Sequence, residues 1–122
     1  MENQLFLHLR KRYDGIYYYL TEKKHEVDFY IPEDNSLWQG TQSLSEESVK
    51  ERECRALVEA SEELEGSQRL VVVTFSEGGE VSYQGRKIEL IPVYKLLGDA
   101  ENAEGERITR EKDFSLISAD AA

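Results

Sequence analysis

Cysteine is almost missing from this chain. Cys54 stands alone, so no disulfide can close within it. A lone thiol suits a reducing compartment, and a cytoplasmic address is expected. Long hydrophobic runs are missing too, and no stretch approaches the roughly 18 apolar residues of a membrane span. The opening MENQLFLHLRKRYDG puts its basic cluster after its apolar residues, the wrong order for a secretory signal. Positive charge is scarce: 15 Lys and Arg face 25 Asp and Glu, a net charge of −10. Nucleic acid would be repelled unless cations gather on one face. Short basic clusters exist at Arg10, Lys11 and Arg12, at Lys23 and Lys24, and at Arg86 and Lys87. They read first as solvated loop ends. No phosphate-loop pattern occurs, and the EGGE turn does not supply one, so ATP hydrolysis by that route is excluded. His8 and His25 have no second His or Cys at ligand spacing, which argues against a zinc site. Cys54 has no adjacent His and reads as a buried thiol rather than a nucleophile.

What is present suffices for one core. The chain has 122 residues, 39% hydrophobic and 10% aromatic, which fits a single folded domain. ENQLFLHLRKR places Leu5, Phe6 and Leu9 on one helical stripe, with cations in the last turn. Gly15 marks the stop. β-Forming residues then predict strands over 16–22 and 25–31, joined by Lys23 and Lys24 as a hairpin. Tyr17, Tyr18 and Tyr19 should alternate between core and solvent rather than stack on bases. PEDN is a turn. SLWQGTQSL predicts a third strand, with Leu37, Gln39, Thr41 and Ser43 on one face and Trp38, Gly40 and Gln42 on the other.

The period then changes. Ser43 with Glu46 has capping-box spacing, and Ser45 is a second candidate cap. Val49, Ala56, Leu57, Ala60 and Leu64 form one apolar face of a helix that stops near Gly66. QRLVVVTFS predicts a strand buried on both faces. VSYQGRKIELI predicts a small hairpin or bent edge strand around Gln84 and Gly85. PVYKLL predicts a short helix with Pro92 in its first turn. Residues 1–98 form the expected domain. Residues 99–122 are polar and acidic and read as a loosely docked tail, with a weak apolar patch at Phe114, Leu116 and Ile117. No internal repeat is visible. The expected fold is α/β, in the order α-β-β-β-α-β, then a short β hairpin and a helix. Helices should flank a mixed central sheet, since a crossover helix favours a parallel return strand.

One strand poses a question. Asp28 lies in EVDFYI among strong β-formers, although aspartate is a poor strand residue. The pattern EN…L…LRKR…IYYYLTEKKHEVDFYI…LWQGTQSLSEESVKERECRALVEA resembles the C-terminal domain of prokaryotic AAA+ family ATPases. The resemblance runs from Glu2 to about Leu97, and the element order is similar to a PD-(D/E)xK nuclease, or restriction-endonuclease-like, core. It implies that Glu2 and Asp28 match two acidic metal ligands. Gln39 stands where the second strand carboxylate would be, and Thr41 where the lysine would be. A working site of that kind holds Mg²⁺ on carboxylates and uses the metal to activate water. Glutamine brings no charge and threonine no cation. Lys50 is a weak substitute, since its place on the helix is that of an exposed residue.

The resemblance therefore implies a vestigial site at Glu2, Asp28, Gln39 and Thr41, with metal binding at Asp28, Glu2 and Gln39 weak or lost. The implied function is a non-catalytic accessory or binding domain of a larger ATPase. Its partner would be that ATPase or another protein, with weak nucleic-acid binding and no membrane. The alternatives are a Mg²⁺-dependent DNA endonuclease with an eroded motif, and a structural oligomerisation module. Because both positions are expected near an open sheet end, Gln39→Glu with Thr41→Lys is expected to leave the fold intact.

Overall fold

The computed structural model describes residues 1–66 and 68–96. The expected tail and the boundary at residue 98 lie outside them. The order of elements is α1 (Glu2–Arg10), β1 (Tyr17–Leu20), β2 (Glu26–Ile31), β3 (Ser36–Gly40), α2 (Glu47–Glu63), β4 (Arg69–Thr74), β5 (Gly79–Tyr83) and β6 (Arg86–Pro92). The six strands form one mixed sheet in the order β1-β2-β3-β4-β6-β5. β3, β4 and β6 run parallel, and the remaining pairings are antiparallel.

Alternation along the strands divides the core. Val27, Leu37, Leu70, Val72 and Ile88 pack with Cys54 and Leu57 of α2. Phe29, Ile31, Trp38, Val71 and Val73 pack with Leu5 and Leu9 of α1 and with Val93 and Leu96. β4 sends successive residues into both clusters, which is why its run is continuously apolar. Trp38 fixes β3 from the α1 side. Its indole N–H donates to Ser36 Oγ at 2.8 Å, and Arg69 lies 5.4 Å over the ring. Cys54 is fully buried, and burial pushes its thiol pKa up. Among the described residues, no helix is long and apolar enough to cross a membrane.

Several local expectations change. Ser43 does not cap α2. The helix begins after Glu46, with no side-chain cap. Glu77, from the β4–β5 turn, takes the Ser43 hydroxyl at 2.6 Å and the Leu44 N–H at 2.8 Å. The Ser43 oxygen accepts the Ser45 N–H at 2.9 Å, so it closes a local turn ahead of the helix instead of a cap. Pro92 ends β6, and the helical turn occupies residues 93–96. Phe6 is only half-buried, against Phe29, while His8 joins Leu5 and Leu9 in the buried stripe. Tyr17 and Tyr18 are both exposed, at 56% and 60%, because β1 lies at the margin of the sheet. Tyr19 meets the Tyr30 ring edge-on.

The hairpin expected around Gln84 and Gly85 forms, and β6 is not an edge strand, because it enters the sheet between β4 and β5. Its hairpin with β5 closes through Gln84 and Gly85, whose φ angles are +49° and +78°. Two consecutive left-handed residues suit the twist of a two-residue hairpin. Gly85→Ala is expected to lower stability by about 1 kcal/mol, since a Cβ is disfavoured there. Urea unfolding checks this, and an unchanged midpoint would mean that the turn relaxes freely.

Candidate functional site

Asp28 sits at a β-bulge. β1 pairs with β2 at Tyr17–Tyr30 and Tyr19–Val27, so Asp28 and Phe29 together oppose Tyr18. Backbone pairing of β2 with β3 runs from Ile31 only to Phe29. Beyond that point side chains carry the connection. The Asp28 N–H donates to Gln39 Oε1 at 2.8 Å, and the Gly40 N–H donates to Asp28 Oδ2 at 2.8 Å. Each side chain serves the backbone of the opposite strand. A bulge leaves ladder groups without partners, and a short carboxylate and an amide supply them. That is one physical reason for an aspartate in an apolar strand.

Gln39 is buried, with 1% exposure. Its amide nitrogen donates to the Glu26 carbonyl at 3.0 Å and to the Glu53 carbonyl of α2 at 3.4 Å. This one side chain ties β2, β3 and α2 together. The expectation of an open sheet end at Gln39 is therefore corrected. The neutral amide suits the place because it needs one acceptor and two donors there, which a carboxylate cannot give.

Glu2 opens α1 on the other face of the sheet. A Cβ built on Gly40 would lie 3.6 Å from the Glu2 Cα, yet the Glu2 side chain is exposed. Its charge is felt by both Asp28 and Glu53. Thr41 is half-buried, and its N–H continues the β3–β4 ladder to the Val73 carbonyl at 3.0 Å. Lys50 acts on Cys54, whereas the cation acting on Glu53 is Arg52.

Glu53 was not expected. It lies four residues after Val49 and four before Leu57, so a carboxylate interrupts the apolar stripe of α2. That interruption was the available signal. Asp28 and Glu53 line one cavity of about 380 Å³, with His25 and Arg52 among its other walls. Burial raises the Asp28 pKa to about 6, partly offset by the Gly40 N–H and reinforced by Glu2 and Glu26. Burial also raises Glu53 to about 7, with the charges of Asp28, Glu2 and Glu26 adding to it and Arg52 opposing. Both carboxyls therefore keep their protons to higher pH than free ones do, and Glu53 more so than Asp28. Among the described residues, no group of three or more His, Cys, Asp or Glu is placed to hold a metal ion.

His25 belongs to a separate network. Its Nδ1 lies 2.6 Å from Glu59 Oε1, which also accepts the Thr21 hydroxyl at 3.1 Å. These bonds dock the β1–β2 turn on α2. The basic clusters are dispersed. Lys23 and Lys24 lie beside β1 at one margin of the sheet, whereas Arg86 and Lys87 open β6, next to the opposite margin.

A family model described as a domain of unknown function, DUF4143, matches residues 1–96. No curated protein and no solved structure matches the chain.

Proposed function

This chain belongs to the DUF4143 family, and from that premise we propose a binding role without catalysis. The domain would be a nuclease-like accessory part of a larger cytoplasmic ATPase, docking on that ATPase or on another protein. The observation that carries this reading is the use made of Gln39 and Asp28. Their polar atoms complete the backbone bonding of a bulge, and Gln39 is enclosed. The residues do not fit Mg²⁺, which prefers near-octahedral oxygen ligands and several waters. Gln39 brings no charge to the site, and a hard cation favours several charged oxygens. Dispersed cations on a chain of net charge −10 favour a protein partner over DNA.

The second reading is an eroded Mg²⁺-dependent endonuclease. Glu53 favours it, because it brings a further carboxylate into the cavity beside Asp28. Calorimetric titration with Mn²⁺ separates the two. We expect no site tighter than roughly millimolar, the range of sparsely charged sites for hard cations. Anisotropy with a labelled DNA duplex at physiological salt should likewise show no submicromolar binding, with strong salt dependence. A micromolar Mn²⁺ site that Glu53→Gln abolishes would replace the binding reading with the enzyme.

A further inference from the structure

We propose that the turn between β1 and β2, residues 21–26, is a lid over the cavity that Asp28 and Glu53 line, latched onto α2 by Glu59 and Glu63. The first support is the way the turn is held. β2 takes up its backbone ladder with β3 only at Phe29, and β1 is a margin of the sheet. The backbone bonds of the turn are its own: the Thr21 N–H donates to the His25 carbonyl at 2.9 Å and the Lys24 N–H to the Thr21 carbonyl at 2.8 Å. Its bonds to α2 end on two carboxylates. Glu59 Oε1 lies 2.6 Å from His25 Nδ1 and accepts the Thr21 hydroxyl at 3.1 Å. Glu63 accepts the Glu22 N–H at 2.9 Å and the hydroxyl of Tyr19, two residues before the turn, at 2.8 Å. Four residues apart, the two carboxylates share one face of the helix.

The second support is what lies on either side of that latch. The cavity of about 380 Å³ has Lys24, His25 and Glu26 of the turn on one side and Arg52, Glu53 and Ala56 of α2 on the other. A second cavity, of about 220 Å³, lies between Glu22 and Lys23 of the turn and Glu59, Glu62 and Glu63 of α2. The seam between turn and helix is thus hollow, and polar bonds rather than apolar packing close it. Apolar packing resumes at Val27, which is fully buried in the α2 cluster. Gln39 holds the Glu26 carbonyl beside it at 3.0 Å, so these two residues mark the hinge. A segment with few apolar contacts and solvent-facing bonds opens at lower free energy than the core does. Opening this one exposes Asp28 and Glu53 to solvent.

Thiol labelling of the full chain tests the lid. Ala56 lines the cavity and is 2% exposed, so Ala56→Cys places a reporter on the covered wall. Glu59→Ala with Glu63→Ala removes the latch from a helix that alanine suits. With the latch removed, the cysteine at position 56 should react about tenfold faster, since several bonds to charged groups are lost. Cys54, fully buried on the same helix, is read in chains that keep Ala56 and should react no faster. Exchange of the Glu22 amide should quicken, while the amides of Val71, Val72 and Val73 in β4 keep their rates. If the double variant does not fold, Glu63→Ala alone, at an exposed position, decides by the same readings. An unchanged rate at position 56 overturns the proposal. So does an equal acceleration at Cys54 and in β4, which would make the two carboxylates supports of the whole fold rather than a latch.

Discussion

Gln39→Glu is expected to lower stability by about 3 kcal/mol or more near neutral pH, a large fraction of what a domain of this size commands. The substituted oxygen would face the Glu26 and Glu53 carbonyls, two acceptors that now receive the amide N–H groups. An ionised side chain there would be buried without a partner. A protonated one could satisfy a single carbonyl. Gln39→Leu should cost a similar amount by another route, because it strands the Asp28 N–H and two carbonyls. Thr41→Lys should cost under about 1 kcal/mol, since Thr41 is half-buried and a long cation can reach solvent. Urea unfolding of the three variants makes the comparison. If Gln39→Glu lies within 1 kcal/mol of the parent, the amide does not hold β2, β3 and α2 together. The double variant Gln39→Glu with Thr41→Lys would then be as tolerable as the strand pattern alone suggests.

That contrast shows where sequence patterns lose their power. Periodicity located both long helices and the buried β4, because 3.6-residue and unbroken apolar patterns follow directly from which faces meet a core. It also placed Gln39 and Thr41 two apart on one strand. Periodicity could not reveal how exposed the end of that strand is. The exposure depends on α2 crossing over Gln39, with the Glu53 carbonyl as its contact. The bulge at Asp28 was invisible for a related reason. One extra residue shifts a register without altering local composition, so EVDFYI reads as a regular strand. The capping box at Ser43 gave way to a local turn in which the Ser43 oxygen accepts the Ser45 N–H, while Glu77, 34 residues away in sequence, accepts the Ser43 hydroxyl. Glu53 was different, because its signal was present and local: a carboxylate within the apolar stripe of α2.

Removing that carboxylate should stabilise the protein, and the pH at which it does so is fixed by sign. The folded state raises Glu53 from 4.5 to about 7, so it holds the proton more tightly than the unfolded chain does. Below about pH 4 both states are protonated and Glu53 contributes nothing. As pH rises through the unfolded value towards the folded one, the unfolded chain releases its proton first, and stability falls. Above about pH 8 both states are ionised and the loss is complete. Asp28, raised from 3.8 to about 6, acts in the same direction over a lower range. Glu59 opposes them: burial pushes it up, but bonds from His25 and Thr21 outweigh that and hold it low. Bonds from Leu44 and Ser43 lower Glu77 likewise. Those two contributions are present above their unfolded value and are lost only in stronger acid, so maximum stability should lie at mildly acidic pH. For Glu53 the full difference between 4.5 and about 7 corresponds to roughly 3 kcal/mol. Its half-exposed side chain is screened by solvent, and about 1 kcal/mol is the realistic expectation. Glu53→Gln should therefore gain about 1 kcal/mol near pH 8, change little near pH 4, and flatten the decline between. Urea unfolding across that range gives the profile. An equal gain at both ends would assign the effect to packing or helix propensity, and no gain near pH 8 would mean that Glu53 is solvated and uncoupled from Asp28.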